Sequence, residues 1–257
     1  MADTTASGLQ GVEARDPSRT EEAQVLASRL GVPTLGPGRP PKGTCRLVLL
    51  KDAMELWDHD CIRHGNRVDF STIDTRVGGG NLSKNQPLAR SIGSTNNLVV
   101  DATAGFGHDA ALLACMGFNV LALERSPLIQ ILLLDALRRA KEDPRLADAM
   151  GDRLHVESVD ATAFIPEIEP APEVVYMDPM FNPPHPSSAL PKKPAQLLRR
   201  IVGQDLDAEE LFGVACAAAK RVVVKRADGA GHLVRKPSHS VSGKQVRYDV
   251  YLDNTIS

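Results

Sequence analysis

The chain has 257 residues, of which 42% are hydrophobic, and a formal net charge of −2 at pH 7, values typical of a soluble globular protein. No run of about eighteen uncharged apolar residues occurs, and no basic head followed by an apolar stretch opens the chain, which excludes a transmembrane helix and a secretory signal. The four cysteines are scattered without a CxxC pair, which excludes a zinc or redox motif and is typical of reduced thiols in a cytoplasmic protein.

The N-terminal part of the chain is predicted to form a small subdomain. Residues 1–20 are polar and unpatterned, which predicts disorder. Residues 21–33 carry apolar side chains at helical spacing and end in glycine and proline, so we expect a short helix there. Residues 45–50 and 67–71 are apolar enough to be short strands. Together these elements predict a small α+β subdomain over residues 21–80.

A glycine-rich segment joins this subdomain to the rest of the chain. In residues 78–93, three consecutive glycines at 78–80 precede basic and amide side chains, which indicates a flexible loop leading into a helix. The loop either cradles a phosphate or serves as a hinge between domains. It is not a P-loop, because no GK[ST] follows it.

From residue 97 onward, apolar strands alternate with helices. This alternation predicts an α/β domain over residues 81–257, with a doubly wound, mostly parallel sheet. A content of only 4% aromatic residues agrees with a core of aliphatic side chains, which suits such a sheet. The predicted strands are NLVVDAT (97–103), NVLALER (119–125), RLHVESVDA (153–161), PEVVYMDP (172–179), KRVVVKR (220–226) and QVRYDVYL (245–252), and the predicted helices are residues 107–117, 126–143 and 208–219.

The first two strands of this domain end in residues typical of a nucleotide site. Asp101 ends the first strand, and Gly105 and Gly107 follow it in a turn that allows the backbone to approach a ligand. With Ala110 the turn fits the GxGxxA fingerprint. About twenty residues further on, the second strand ends at Glu124, whose carboxylate can accept hydrogen bonds from ribose hydroxyls. The pattern predicts an adenosine-containing cofactor and leaves open a nicotinamide dinucleotide or S-adenosylmethionine.

The third strand ends at Asp160, for which two roles are open. A carboxylate there can accept a hydrogen bond from the exocyclic amine of an adenine. The same residue can also cap the N-terminus of a short helix formed by the residues after it. One side chain can serve both roles.

The fourth strand ends in Asp178-Pro179-Met180-Phe181, which favours S-adenosylmethionine. An amine on an aromatic ring is a poor nucleophile, because its lone pair is delocalised. The Asp178 carboxylate and the Pro179 carbonyl can accept both amine hydrogens and orient the amine for attack, while the proline ring fixes the backbone. Phe181 can stack on the base that carries the amine. A dehydrogenase has no use for this set of residues.

Four segments in this order and spacing, VVDATAGFGHDA, ALERSP, VVYMDPMF and KRVVVKR, resemble the ribosomal RNA small-subunit methyltransferase J family. The resemblance covers roughly residues 65–252. It implies a Rossmann-like class I methyltransferase fold. It also implies transfer of a methyl group from S-adenosylmethionine to the exocyclic N2 amine of one guanosine in 16S ribosomal RNA, with Asp178, Pro179 and Phe181 as the catalytic residues.

The resemblance also implies where the cofactor is bound, and no metal is expected. His108 stands where the family has an arginine. The family's contacts, together with the first strand end, give a predicted cofactor site of Asp101, Gly105, Gly107, His108, Asp109, Glu124, Arg125, Asp160, Ala161 and Asp178.

The distribution of charge is compatible with a polyanionic partner. From Pro179 to Ser257 there are 12 Lys and Arg against 7 Asp and Glu, whereas the other 178 residues carry 18 against 25. With the resemblance, this basic third predicts contacts with the phosphates of 16S ribosomal RNA or of the small ribosomal subunit. The candidates are Lys192, Lys193, Arg199, Arg200, Arg226, Lys244 and Arg247. Neither a membrane nor an obligatory protein partner is expected.

Three other functions remain open at this point. The Asp-Pro-Met-Phe corner suits any planar amine, so the substrate can instead be a DNA adenine or a protein amide. A non-catalytic RNA-binding assembly factor is a second alternative, against which the intact Asp178 argues. A nicotinamide-dependent oxidoreductase is the third, and it should lack this corner.

Overall fold

The computed structural model describes residues 8–76, 82–93, 98–179 and 207–252. These residues fall into two compact units. The N-terminal unit holds residues 8–69 and 126–139, and the second unit holds the rest of the described residues. None of the helices in the described ranges is long and apolar enough to cross a membrane.

The elements are numbered in chain order. The helices are α1 (Thr20–Leu30), α2 (Pro87–Ile92), α3 (His108–Cys115), α4 (Pro127–Glu142), α5 (Pro144–Met150), α6 (Ala161–Phe164) and α7 (Ala208–Ala218). The strands are β1 (Leu9–Ala14), β2 (Thr34–Leu35), β3 (Cys45–Leu49), β4 (Met54–Asp58), β5 (Leu98–Asp101), β6 (Asn119–Leu123), β7 (Leu154–Glu157), β8 (Val174–Met177), β9 (Arg221–Ala227), β10 (His239–Ser242) and β11 (Val246–Leu252).

The N-terminal unit is built on a four-stranded sheet of order β2-β1-β3-β4. Strand β1 runs parallel to β2 and β3, and β3 runs antiparallel to β4. Val12, Leu47 and Leu56 contribute fully buried side chains from the three longer strands. The sheet therefore gives this unit a hydrophobic core of its own.

The prediction of disorder over residues 1–20 is wrong from residue 9 onward, because residues 9–14 form β1. This strand lies inside the sheet, so its backbone groups are satisfied by β2 and β3. Its partners come from positions more than twenty residues away along the chain. The composition of residues 9–14 alone does not predict pairing with strands so far away along the chain.

Two other predictions in this unit have different outcomes. Helix α1 is confirmed, and it ends at Gly31, whose φ of 65° is in the left-handed region. The predicted strand at 67–71 is wrong. Next to this segment, Asn66 makes one isolated bridge to Leu56. The Val68 carbonyl accepts a hydrogen bond from the Arg139 guanidinium and not from the backbone of a neighbouring strand. The strand that pairs antiparallel with β3 is β4.

The second unit is built on a seven-stranded sheet of order β10-β11-β9-β8-β5-β6-β7. Strands β9, β8, β5, β6 and β7 are all parallel, and β11 is antiparallel to both of its neighbours. This confirms the predicted doubly wound, mostly parallel sheet. The core on one face joins Val100, Val175 and Val222 of the central strands to Phe212 and Ala215 of α7.

The strand order places a topological switch point between β5 and β8. From β5 the chain continues outward to β6 and β7, whereas β8 and β9 lie on the other side of β5. In open α/β sheets, ligands bind beyond the carboxyl ends of the strands at such a point. The segments that follow β5, β6 and β8 lie at this edge of the sheet.

Candidate active site

The turn after β5 brings a backbone N–H group to the end of β6. Gly105 and Gly107 have φ values of 53° and 69°, which residues with a side chain rarely adopt. The Gly105 N–H donates to Oε2 of Glu124 at 2.9 Å, and Gly107 is the N-cap residue of α3. The backbone therefore favours glycine at both predicted positions.

Glu124 is a buried acid at the predicted cofactor edge. Its residue is only 7% exposed, and it directly follows β6, which pairs in parallel with β5. The hydrogen bond from Gly105 fixes one carboxylate oxygen at the glycine turn. A carboxylate held in this way is suited to accept hydrogen bonds from vicinal hydroxyls.

Asp160 caps α6, which confirms one of its two predicted roles. Its Oδ1 accepts a hydrogen bond from the Thr162 backbone N–H at 2.8 Å. The side chain is exposed, and Ala161 begins the helix in a buried position. Contact with an adenine amine stays a prediction.

The end of β8 is tied to the end of β5 through Asp178. The Asp178 N–H donates to the Thr103 hydroxyl at 2.7 Å, which joins the two strand ends at the switch point. The Asp178 carboxylate lies 3.0 Å from Nζ of Lys225, and its side chain is 43% exposed. The predicted Asp178-Pro179 corner thus stands at the sheet edge with its carboxylate accessible and in an ion pair.

Behind this carboxylate lies a second one, Asp109. Its Oδ2 accepts from the Tyr176 hydroxyl at 2.6 Å and from Nζ of Lys225 at 2.7 Å. Lys225 therefore joins two predicted site residues, Asp109 and Asp178. These three charged groups and the Tyr176 hydroxyl form one network, which we call the Lys225 network.

The pKa values follow from burial and from these charges. Burial would raise the pKa of Asp109, but the charge and hydrogen bond of Lys225, with the hydrogen bond from Tyr176, hold it below its ordinary value. Burial would lower the pKa of Lys225, but the charges of Asp178 and Asp109 raise it above its ordinary value. Burial and the charge of Asp109 raise the pKa of Tyr176, so its hydroxyl stays protonated.

Asp101 behaves differently from the acids around it. It is 2% exposed, and its Oδ1 accepts from the Thr103 N–H. Burial, followed by the charge of Asp109, raises its pKa from 3.8 to about 8. Asp101 is therefore protonated at neutral pH, and it adds no negative charge to the Lys225 network.

This protonation makes stability depend on pH. Asp101 is ionised in the unfolded chain but protonated in the fold between roughly pH 5 and 7, so the folded state binds one more proton and loses stability as pH rises. Asparagine mimics the protonated acid and removes this loss. In urea unfolding at several pH values, we expect the stability of Asp101→Asn relative to wild type to rise with pH by up to about 1.4 kcal/mol per unit. Parallel pH profiles would refute the raised pKa.

Two predicted cofactor residues lie at the border of this site. His108 is the exposed first residue of α3. Arg125 forms an ion pair with Asp207 at 2.5 Å, next to the start of α7. The pair ties the end of β6 to Asp207, the residue that directly precedes α7.

The sequence reasoning missed Lys225, Tyr176 and Thr103 as members of the site. Tyr176 and Lys225 lie on the neighbouring strands β8 and β9. The available signal was a lysine at the carboxyl end of a parallel strand, where ligand-binding residues gather. The partners of Lys225 depend on how α3 and β8 pack beside β9, and no local sequence pattern predicts this packing.

The predicted RNA contacts are described only in part. Phe181, Lys192, Lys193, Arg199 and Arg200 lie outside the residues that the structure describes, as do the glycines at 78–80.

The three other candidates are described. Arg226 and Arg247 face each other across β9 and β11, and both donate to the Gly231 carbonyl. Arg247 is also paired with the buried Asp249 at 2.9 Å. Lys244 is exposed in the turn between β10 and β11. Lys244 is thus the most accessible of these three.

Comparison with known proteins gives consistent results. A family described as "Putative SAM-dependent methyltransferase" matches residues 34–253. The ribosomal RNA small subunit methyltransferase J of Tolumonas auensis is 39% identical over 250 residues, covering 94% of this chain and 97% of the relative. The protein of the same name from Thioalkalivibrio sulfidiphilus is 40% identical over 246 residues, covering 90% and 93%.

A solved structure agrees with these matches. The crystal structure of a SAM-dependent methyltransferase from Neisseria gonorrhoeae superposes with a TM-score of 0.68 at 27% sequence identity. The match covers 96% of this chain and 99% of the other. This confirms the predicted Rossmann-like class I methyltransferase fold.

Proposed function

Because the chain belongs to the ribosomal RNA small subunit methyltransferase J family, we propose that it transfers a methyl group from S-adenosylmethionine to the exocyclic N2 amine of a guanosine in 16S ribosomal RNA. The observation that carries the proposal is the Asp178-Pro179 corner at the switch point. It stands at the same sheet edge as the glycine turn and Glu124.

The residues at this edge fit S-adenosylmethionine, the cofactor of the family. The Glu124 carboxylate can accept from the two ribose hydroxyls, and the glycine turn leaves room for the backbone to approach the ligand. The exposed Asp160 carboxylate is a suitable acceptor for the adenine amine. When bound, the cofactor supplies a methyl group on a positively charged sulfur.

The chain's own part in the reaction is to hold the acceptor amine. The Asp178 carboxylate and the Pro179 carbonyl accept the two amine hydrogens and aim the nitrogen lone pair at the methyl group. Positioning of this kind is worth several kcal/mol, on the order of the 7–11 kcal/mol found for well-oriented reactants. Phe181 stacks on the guanine in this proposal. The amine proton leaves to Asp178 or to water after transfer.

The substrate part of the proposal also rests on charge. Lys244 is exposed in the turn between β10 and β11, and the part of the chain from Pro179 onward has an excess of basic residues. Such residues bind phosphates without reading the base sequence. A paired guanine would hide its N2 amine from the Asp178 corner, so the target guanosine is unpaired or flipped out.

The test is a methyl-transfer assay with tritiated S-adenosylmethionine. The substrates are 30S particles and free 16S ribosomal RNA from cells lacking the enzyme, with duplex DNA and total cell protein as alternatives. We expect label only in RNA, and N2-methylguanosine after digestion to nucleosides. Label in the adenine of DNA or in protein would show that DNA or protein, and not ribosomal RNA, is the substrate. Cofactor binding without any methyl transfer would favour a non-catalytic assembly factor.

A further inference from the structure

We propose that Lys225 is a positioning residue for methyl transfer, which acts by fixing the Asp178 carboxylate at the site. The inference rests on the proposed function, in which Asp178 orients the acceptor amine. Lys225 Nζ lies 3.0 Å from Oδ2 of Asp178 and 2.7 Å from Oδ2 of Asp109. Its own side chain is 22% exposed, so most of the stem is packed.

The network has a rigid side and an accessible side. On the rigid side, Asp109 stands on the first turn of α3 and accepts hydrogen bonds from Tyr176 and Lys225. The side chain of Asp109 is 19% exposed, and Tyr176 as a whole is 1% exposed. On the accessible side, the Asp178 carboxylate is 43% exposed. Lys225 thus holds the Asp178 carboxylate, which binds the acceptor amine in the proposed reaction, in a fixed position relative to Asp109.

Electrostatics also favours this role. Without Lys225, Asp109 and Asp178 would be two carboxylates brought together by α3 and β8 with no ammonium between them, and their repulsion would turn Asp178 toward solvent. The neutral Asp101 beside them adds no charge. A lysine ammonium has three rotatable N–H donors, so one group can serve both acids.

The position of Lys225 in the sheet explains how the contact is made. Strand β9 pairs in parallel with β8, with Met177 opposite Val224. Lys225 is the next residue of β9 after Val224, so it lies level with Asp178, the next residue after Met177. The register that builds the sheet also sets the distance between ammonium and carboxylate.

The experiment compares Lys225→Met with Lys225→Arg. Methionine keeps the length of the stem without the charge, and arginine keeps the charge. On 16S ribosomal RNA we expect Lys225→Met to lower kcat by about 10- to 100-fold, in the range that a small misplacement causes. The Kd for S-adenosylhomocysteine should stay within about threefold of wild type, and Lys225→Arg should recover most of the loss, because a charged donor still reaches Asp178.

Lys220, beside the same strand, provides a matched control. Lys220 is exposed and directly precedes β9, at the opposite end from Lys225. Lys220→Met removes the same group and should keep the wild-type kcat and Kd. If Lys225→Met does not fold, as judged by thermal unfolding, Lys225→Gln takes its place, since the amide keeps N–H donors without charge.

A double variant separates positioning from general stability. If Lys225 acts through Asp178, adding Lys225→Met to Asp178→Ala should lower kcat no further, because the carboxylate to be positioned is gone. Full additivity would overturn the proposal, as would a wild-type kcat in Lys225→Met or a loss seen only in cofactor affinity. A wild-type protein that binds cofactor but methylates no RNA would instead refute the proposed function, and this inference with it.

Discussion

Replacing Asp178 with alanine is expected to lower kcat for methyl transfer by at least about 100-fold while leaving the protein folded. The carboxylate is proposed to accept a hydrogen bond from the acceptor amine, and losing one such preorganised group costs about two to three orders of magnitude in other enzymes. The fold should tolerate the change, because the side chain is 43% exposed and the backbone N–H still donates to Thr103. Steady-state kinetics on 16S ribosomal RNA and thermal unfolding measure the two effects.

Two further variants show whether the carboxylate itself is needed. Asp178→Asn keeps an acceptor oxygen but loses the charge, so it should retain more activity than alanine and less than wild type. Asp152 is an exposed acid before β7, at the amino ends of the parallel strands, and Asp152→Ala should behave as wild type. Wild-type kcat in Asp178→Ala would remove the orienting role from this residue.

Much of the fold could be predicted from local patterns. The five parallel strands each appear in the sequence as a short apolar run, and glycine or proline marks several helix ends, such as Gly31 after α1 and Pro127 at the start of α4. Strand direction could not be predicted in the same way. β11 looks like its predecessors in the sequence but runs antiparallel, because direction depends on the length and path of the connection and not on the strand's own residues.

The failures have a common physical origin in non-local pairing. Strand β10 was missed because its residues 239–242 are mostly polar and exposed, and it exists as a partner of β11. Strand β1 was missed for the same reason, since its neighbours β2 and β3 satisfy its backbone. Conversely, residues 67–71 have strand-like composition, but the Arg139 guanidinium binds the Val68 carbonyl there.

The site shows the same division. Gly105, Gly107 and Glu124 could be found because each residue type follows from a local demand, either a left-handed backbone or a strand-end acid. Lys225 stands near the carboxyl end of a parallel strand, but its acidic partners became visible only when β9 was placed beside β8. Asp109 was predicted as a cofactor contact, and the structure adds that its Oδ2 already accepts two hydrogen bonds.

Replacing Glu124 with alanine is expected to weaken the binding of S-adenosylhomocysteine by at least about 100-fold. The proposed carboxylate–ribose hydrogen bonds are charge-assisted, and such bonds contribute about 1.5–3 kcal/mol each. The variant also leaves the Gly105 N–H without its acceptor, so we expect a lower melting temperature as well. Titration calorimetry below the melting temperature measures the affinity, with Glu167→Ala, an exposed acid after α6, as the control.

A ligand without ribose hydroxyls distinguishes direct contact from a distorted turn. In wild type, the 2′,3′-dideoxy analogue of S-adenosylhomocysteine should bind about 100-fold more weakly than the parent ligand, since Glu124 then loses both of its ligand partners. In Glu124→Ala, the two ligands should bind almost equally, because the carboxylate that distinguishes them is absent. If the variant discriminates between them as strongly as wild type, Glu124 does not bind the ribose, and its effect arises from the Gly105 turn that it supports.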